Sequence, residues 1–301
     1  MLAEVRSFFA SRNVMEVDCP ALSQRSPIDQ HIEVMQVIFK SGQKAYLHTS
    51  PEYGMKRLLS LGSGDIYQMS HVFREGEWGT LHNPEFMMVE WYRIGFSLEE
   101  LIEETLNFIR LFVGNLPAEY MSYREAFKKY LNIDYLSATA SELLEIAQRQ
   151  NIHLSEEARN WSRETLLDLL MSFSIEPHLG KGILTVITDY PATQAALSKI
   201  QKKEDEWVAM RFEVSYRGIE LANGYHELTD PKEQRLRLYK ENEKRKAGGK
   251  VELPVDEHFL KALERGIPDC CGVAVGFDRL LMLQQKKLLL ADVLPISWKE
   301  A

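Results

Sequence analysis

The alternation of apolar and polar residues divides the chain into segments of different period. Leu2-Ala-Glu-Val-Arg-Ser-Phe-Phe9 is amphipathic, carries its charges at Glu4 and Arg6, and predicts a helix over 2–13. Met15-Glu-Val-Asp-Cys-Pro20 reads as extended chain, because Pro20 cannot continue a helix and suits a strand end. Residues 32–39 and 45–48 predict strands, and 51–61 a helix. Strand-like alternation returns over 66–74 and 86–93, with the polar stretch Glu75–Glu85 between them. That makes a hairpin with a long loop, and long loops in compact domains are often functional. Apolar spacing predicts a helix over 98–113. From about Ser122 to Ser174 the pattern is helical and polar, which reads as a small helical insertion at about 115–180 between two halves of a sheet. Strands return at 183–187 and 207–221. Asp230-Pro-Lys-Glu233 marks a helix start, with Asp230 as N-cap, Pro231 at the first position and Glu233 closing a capping box. Gly272–Gly276 predicts a short strand before a helix that opens at Phe277. Strands on both sides of a helical segment, joined by hairpins, predict an α+β fold: an antiparallel sheet flanked by helices. Neither G-x-G-x-x-G nor a Walker loop occurs, which argues against a doubly wound nucleotide-binding fold.

Composition narrows the function classes. With 301 residues, 45% of them hydrophobic, the chain can bury a sizeable core. A net charge of −8 argues against broad, nonspecific nucleic-acid binding. The basic run Lys240–Lys250, with Lys244-Arg245-Lys246, reads as a solvated helix end. Cys19, Cys270 and Cys271 form no disulfide framework and have no zinc-site spacing, which points to a reducing, cytoplasmic setting. There is no signal peptide and no apolar run long enough to span a bilayer, so no membrane role is expected.

The richest segment is Arg211-Phe-Glu-Val-Ser-Tyr-Arg-Gly-Ile-Glu-Leu-Ala-Asn-Gly-Tyr-His-Glu-Leu228. It predicts a hairpin turning near Tyr216-Arg217-Gly218. With Tyr216 and Arg217 at the tip, Glu213 and Glu220 fall nearly opposite each other. Facing carboxylates repel unless a cation lies between them. Mg²⁺ suits such a pair, because it takes carboxylate oxygens together with substrate phosphates. Asn223 and Glu227 add an amide and a third carboxylate, so the segment offers a metal site and an amine site; a solvated acidic hairpin is the plain alternative. Arg74 ends a strand and faces the polar loop, with His82 and Asn83 on its far side and Phe86 starting the return. An Arg and a His there can grip phosphates, and Phe86 can stack on a base. Arg279 lies in the first turn of the last helix, beyond the glycine-flanked strand, where it can reach a terminal phosphate or simply pair with Asp278. Ser50 and Glu52 sit at a strand-to-helix turn, where they serve either a polar substrate or the helix cap.

The order of these pieces carries more information than any one of them. A helix and strand ending in Pro20, then Phe73-Arg74 with His82-Asn-Pro-Glu-Phe86, then Gly276-Phe-Asp-Arg279 resemble the three signature motifs of class II aminoacyl-tRNA synthetases. Thr49-Ser-Pro-Glu-Tyr53, Glu90-Trp-Tyr-Arg93, Gly218–Asp230 and Pro268–Leu280 make the chain similar to lysyl-tRNA synthetase, and more similar to the truncated paralogue family of elongation factor P–(R)-β-lysine ligases. The resemblance covers essentially the whole chain and implies a single class II catalytic domain over 1–301. The chain starts almost at the first motif, so no N-terminal anticodon-binding domain is expected.

The resemblance also implies roles. Arg74 and Arg279 would be the catalytic arginines, on the α-phosphate with the substrate carboxylate and on the γ-phosphate respectively. ATP would be held by these two with Glu75, Gly76, His82, Asn83, Phe86, Glu220, Leu221 and Gly276, and Mg²⁺ by Glu213 and Glu220. Ser50, Pro51 and Glu52 would bind the backbone-side amine of (R)-β-lysine or lysine, and Tyr92 and Glu227 its distal amine. Asn223 would lie on the carboxylate side, and Ala274, where lysyl-tRNA synthetases have glycine, would shape the pocket. The expected activity is formation of an aminoacyl-adenylate and its transfer to a lysine of elongation factor P, with no tRNA. The alternatives are a lysine-activating paralogue with another acceptor and a catalytically silent regulatory paralogue. One departure stands out: Gly76 occupies the place of a family glutamate that contacts adenine, and Glu75 or Glu77 is the substitute through a shifted loop. A homodimer is expected through the first motif, where residues 2–20 offer Phe8, Phe9 and Val14.

Overall fold

The computed structural model describes residues 1–301, apart from the side chains of Glu156 and Glu157. It forms two compact units, Met1–Val113 with His226–Ala301, and Gly114–Tyr225.

The first unit opens with α1 (Leu2–Ala10), which buries Val5, Phe8 and Phe9 along one face. Phe9 stacks on Tyr67 at 4.1 Å between ring centroids and meets Trp91 and Phe108 at 5.3 and 5.7 Å. Phe8, Phe9 and Val14 therefore belong to this unit's own core and cannot form the surface expected of them. Next come β1 (Met15–Glu16), β2 (Leu22–Ser23), β3 (Gln36–Ile38) and β4 (Lys44–Leu47). The strand predicted over 32–39 shrinks to its last part, and β2, β4 and β3 form a small antiparallel sheet. Helix α2 (Glu52–Leu59) follows, then the antiparallel pair β5 (Ile66–Phe73) and β6 (Glu85–Ile94), then α3 (Leu98–Val113). β1 lies parallel to β5.

The second unit has β7 (Ala118–Ser122), a strand absent from the predicted pattern, which pairs parallel to β8. Helices α4 (Tyr123–Leu131) and α5 (Ala140–Arg149) both start with capping boxes, Ser122 with Glu125 and Thr139 with Glu142, which satisfy amides that a helix start leaves unpaired. Together with α6 (Arg163–Leu170) they pack Phe127, Leu143 and Leu166 around Tyr123, Tyr135 and Tyr190. β8 (Leu184–Pro191), β9 (Ile200–Lys203), β10 (Glu206–Tyr216) and β11 (Ile219–His226) complete this unit in the order β11-β10-β8-β7, with β9 on β10.

The chain then returns to the first unit through α7 (Pro231–Ala247), whose cap Asp230 accepts from the amides of Lys232 and Glu233. The basic end of α7 is not wholly solvated. Arg245, 1% exposed, donates to the carbonyls of Asp29, Ile32 and Val251 and pairs with Glu33 at 3.0 Å. Burial of a guanidinium is tolerated because each of its three nitrogens donates to an acceptor. After α8 (Glu257–Arg265), β12 (Cys270–Gly276) lies antiparallel to β6, with Gly272 opposite Tyr92 and Ala274 opposite Glu90. Helix α9 (Phe277–Gln284) follows and is short. The predicted α+β class is what the structure shows, with strands that pair mostly antiparallel, β1 with β5 and β7 with β8 being the parallel pairs. Among the described residues no helix is long and apolar enough to cross a membrane.

Candidate functional site

In the first unit four side chains from distant parts of the sequence converge. α2 supplies Glu52 and Lys56 one helical turn apart, β6 supplies Glu90, and Glu227 follows β11 with its amide bonded to the Cys270 carbonyl at 3.0 Å. The Lys56 ammonium lies 2.5 Å from Glu52 Oε1 and 2.5 Å from Glu227 Oε2. Lys56 is wholly buried, and Glu90 and Glu227 are 3% and 1% exposed. Ser50 donates to Glu90 Oε2 at 2.6 Å and Tyr92 donates to Glu90 Oε1 at 2.7 Å. Ser50 Oγ also accepts from the Glu52 amide at 3.0 Å, so it serves the helix start as well as the carboxylate. Pro51 is the N-cap position of α2.

The electrostatics of this pocket are unusual. Three carboxylates share it with one ammonium. Burial, then the nearby Glu52, pushes Glu90 up to about 7, against the two hydroxyl donors that pull it down. Burial also raises Glu227, against the pull of Lys56. Lys56 itself is raised: burial disfavours its charge, but Glu227 and Glu52 overcome that and keep it an ammonium. Carboxyl groups that outnumber their cations, and that burial pushes toward the neutral form, suit a ligand that brings positive charge. Two small residues of β12 border the pocket. A side chain at Gly272 would place its Cβ 2.4 Å from Tyr92 Cε1 and 2.6 Å from Glu227 Oε1.

A second group in this unit is cationic and aromatic. Arg74, just past β5, bonds its amide to the Pro84 carbonyl at 2.9 Å and holds its guanidinium 5.1 Å from the centre of the Phe86 ring. Its Nε is buried and makes no hydrogen bond, and Glu77 lies 3.8 Å from its Nη1. An unsatisfied, buried guanidinium N–H suits a phosphate or carboxylate oxygen. Arg279, one turn into α9 beyond Gly276, brings Nη2 to 3.0 Å from His82 Nε2. Burial and then Arg279 push His82 down, so the imidazole is neutral and accepts this bond. Asn83 spends its amide on the Glu85 carbonyl at 2.6 Å. Gly76 has φ +79°, a left-handed turn position with open space around it, next to Glu75 and Glu77.

The hairpin of the second unit differs from its predicted register. Its tip is Arg217-Gly218, both at positive φ (55° and 71°), as a two-residue hairpin turn requires. Glu213 pairs with Asn223, and Glu220 pairs with Ser215, so the two glutamates are not opposite each other. The register slips between Val214 and Ser215, leaving Leu221 as the extra, buried residue. That bulge brings Glu220 onto the same face as Glu213 and Asn223, although Glu220 and Asn223 are an odd three positions apart. Glu213 accepts from Tyr190 at 2.7 Å and pairs with Arg211, whose Nε donates to Asn223 Oδ1 at 3.3 Å. Among the described residues no three His, Cys, Asp or Glu side chains form a metal cage. Two carboxylates from neighbouring strands on one sheet face fit Mg²⁺, which takes few protein ligands and relies on substrate phosphates for others.

Lys56, Gly272, Arg211 and Tyr190 were not singled out from sequence, and Glu90 only as part of a longer motif. A Glu four residues before a Lys on a helix, and a Glu inside the apolar run Met87–Tyr92, were the available signals.

Comparison with known proteins gives this site a context. The model of the tRNA synthetases class II (D, K and N) matches residues 1–295, and the chain belongs to that class. Within the class it stands with the elongation factor P–(R)-β-lysine ligases. It is 46% identical to the one from Edwardsiella ictaluri, over 99% of this chain and 92% of the relative. It is 47% identical to that of Klebsiella pneumoniae strain 342, over 94% and 88%, and 46% identical to that of Salmonella arizonae, over 99% and 92%.

Proposed function

We propose that the protein activates (R)-β-lysine with ATP as an aminoacyl-adenylate and transfers it to a lysine of elongation factor P. The observation that carries this is the buried pocket in which Glu52, Glu90 and Glu227 outnumber Lys56, a match for a substrate with two ammonium groups. Glu52 with Ser50 would receive one amine, and Glu227 with Tyr92 the other. Ala274, across from Glu90, adds a methyl group at the pocket edge.

The substrate carboxylate attacks the α-phosphate in line and displaces pyrophosphate, without a protein nucleophile. Arg74 holds that phosphate and the carboxylate, and Arg279 with His82 holds the outer phosphates. Phe86 stacks on adenine, with Asn83 and the backbone at Gly76 and Gly276 beside it. Catalysis is then positioning and charge stabilisation. Glu213 and Glu220 would hold Mg²⁺, with Leu221 and Asn223 beside them; the ion neutralises phosphate charge when bound. The acceptor amine, uncharged when it reacts, attacks the adenylate carbonyl, displaces AMP and gives up a proton to form the amide.

ATP–pyrophosphate exchange with (R)-β-lysine and L-α-lysine in parallel tests the reading. Faster exchange with (R)-β-lysine, followed by a matching mass increase on elongation factor P, is the expected result. A preference for α-lysine, or charging of tRNA, would move the acceptor assignment. A homodimer is part of the proposal, supported by the exposed apolar Leu2, Met15 and Leu22 of the N-terminal elements. Sedimentation as a monomer at micromolar concentration would remove it. The buried cysteines Cys19, Cys270 and Cys271, none of them in a disulfide, support a reducing, cytoplasmic setting.

A further inference from the structure

Lys56 is the one ammonium described within the acidic pocket, and no role for it follows from the chemistry proposed above. Its side chain is 0% exposed, and its Nζ touches one oxygen of Glu52 and one of Glu227, both at 2.5 Å. By geometry those two oxygens are then no more than about 5 Å apart, a distance at which unbridged carboxylates in a dry site repel strongly. The other oxygen of each lies outside the bridge. The oxygens of Glu90 are taken by Ser50 and Tyr92 instead. Formally, three carboxylates and one ammonium leave the pocket short of two positive charges, the number that a diamino acid brings.

We propose that Lys56 is a positioning residue for substrate, a resident third ammonium that clamps Glu52 to Glu227 and fixes one free oxygen of each to receive an amine. This rests on the reading that the pocket takes a diamino acid. Lys56 touches neither the reacting carboxylate nor ATP in this assignment. Its loss should therefore appear in substrate affinity and not in the chemical step. Without it the two carboxylates either separate or take up a proton, and either change removes an acceptor that the substrate needs.

The test is Lys56→Ala, whose missing atoms have the size and charge of propylammonium. In ATP–pyrophosphate exchange, KM for (R)-β-lysine should rise ~10–100-fold with a much smaller change in kcat, as expected when a group acts on binding alone. Added propylammonium should lower that KM again, 1-propanol should not, and the wild type should gain from neither. An unchanged KM in Lys56→Ala would overturn the proposal. Equal rescue by propanol would overturn it too, since it would reduce Lys56 to a space filler. ATP binding by calorimetry reports whether the variant is folded, and the near-isosteric Lys56→Met is the second variant. If neither binds ATP, Lys56 is a folding residue and the proposal falls. A wild type that exchanges with neither lysine would instead overturn the diamino-acid reading itself, a result visible before any variant is made.

Discussion

Tyr92 donates its phenol hydrogen to Glu90 at 2.7 Å, and both side chains point to the same face of β6, opposite Gly272 and Ala274 of β12. The other face of β6 turns Trp91 onto the aromatic core around Phe9 and Phe108. One strand thus has a greasy side that fixes it in the core and a polar side that carries Glu90 and Tyr92 into the acidic pocket.

Glu90 should give the protein a pH signature. Burial raises its pKa from the ordinary carboxylate range to about 7, so the folded state binds a proton that the unfolded chain releases earlier. That stabilisation is complete at acid pH, below the unfolded value, and is lost as pH rises through about 7. The thermal midpoint of the ligand-free protein should fall between about pH 4.5 and 7 for this reason and level off above that. Substrate affinity should move the opposite way, rising by up to ~10-fold per pH unit over that window, because a cation prefers the ionised pocket. Glu90→Gln should make both slopes shallower, leaving the part that the raised Glu227 contributes, and raise KM for the amino acid ~10-fold. Slopes unchanged in the variant would assign the titration to other groups.

Gly272→Ala tests the size of the pocket. The new Cβ would lie 2.4 Å from Tyr92 Cε1 and 2.6 Å from Glu227 Oε1. Neither neighbour has room to retreat, since both are almost fully buried. We expect a loss of about 1–3 kcal/mol in stability together with a raised KM for the amino acid and little change in KM for ATP. Denaturant unfolding and exchange kinetics measure the two halves separately.

Arg74→Ala should lower the rate of adenylate formation ~10²–10³-fold in single-turnover measurements, the usual cost of removing one donor aimed at developing charge. Normal adenylate formation would remove Arg74 from the reacting centre. The same change at Arg279 should act mainly through KM for ATP.

How far the sequence could be read shows in which features it located. The helix over 98–113 agrees with α3 residue for residue, because a long apolar stripe of period 3.6 has few alternatives. Arg217-Gly218 was placed at the turn within one residue. The bulge at Leu221 was not legible, since a one-residue slip in register leaves no mark on composition, yet it decides which side chains share a face with Glu213. Lys56 was equally hidden. Its partner Glu227 is distant in sequence, and only the packing of α2 beside the segment after β11 makes the pair. The candidate dimer residues Phe8 and Phe9 were recognised as apolar, but periodicity does not tell an intramolecular core from an interface.

Gly76 deserves its own experiment. At φ +79° it holds a conformation that a side chain makes costly, by about 1–2 kcal/mol. Gly76→Glu should therefore destabilise the loop and fail to tighten ATP binding, even though a glutamate is the residue expected there by resemblance. Tighter ATP binding in calorimetry would show that the loop can reshape around the new side chain.

Glu213→Gln should raise the Mg²⁺ concentration needed for half-maximal exchange ~10-fold, with chelation by EDTA abolishing exchange in the wild type. The substitution also loosens Arg211 and Tyr190, so the thermal midpoint should be recorded beside the Mg²⁺ titration. An unaltered Mg²⁺ requirement would place the ion elsewhere.

The bridged Lys56 has a chemical consequence of its own. A primary amine acylates only through its lone pair, and an ammonium clasped by Glu52 and Glu227 has none to offer. An enzyme that makes an activated acyl group beside one of its own lysines faces the hazard of labelling itself. Here that lysine is chemically muted by the same carboxylates proposed to receive the substrate, so the reactive mixed anhydride would be left for an amine arriving from outside.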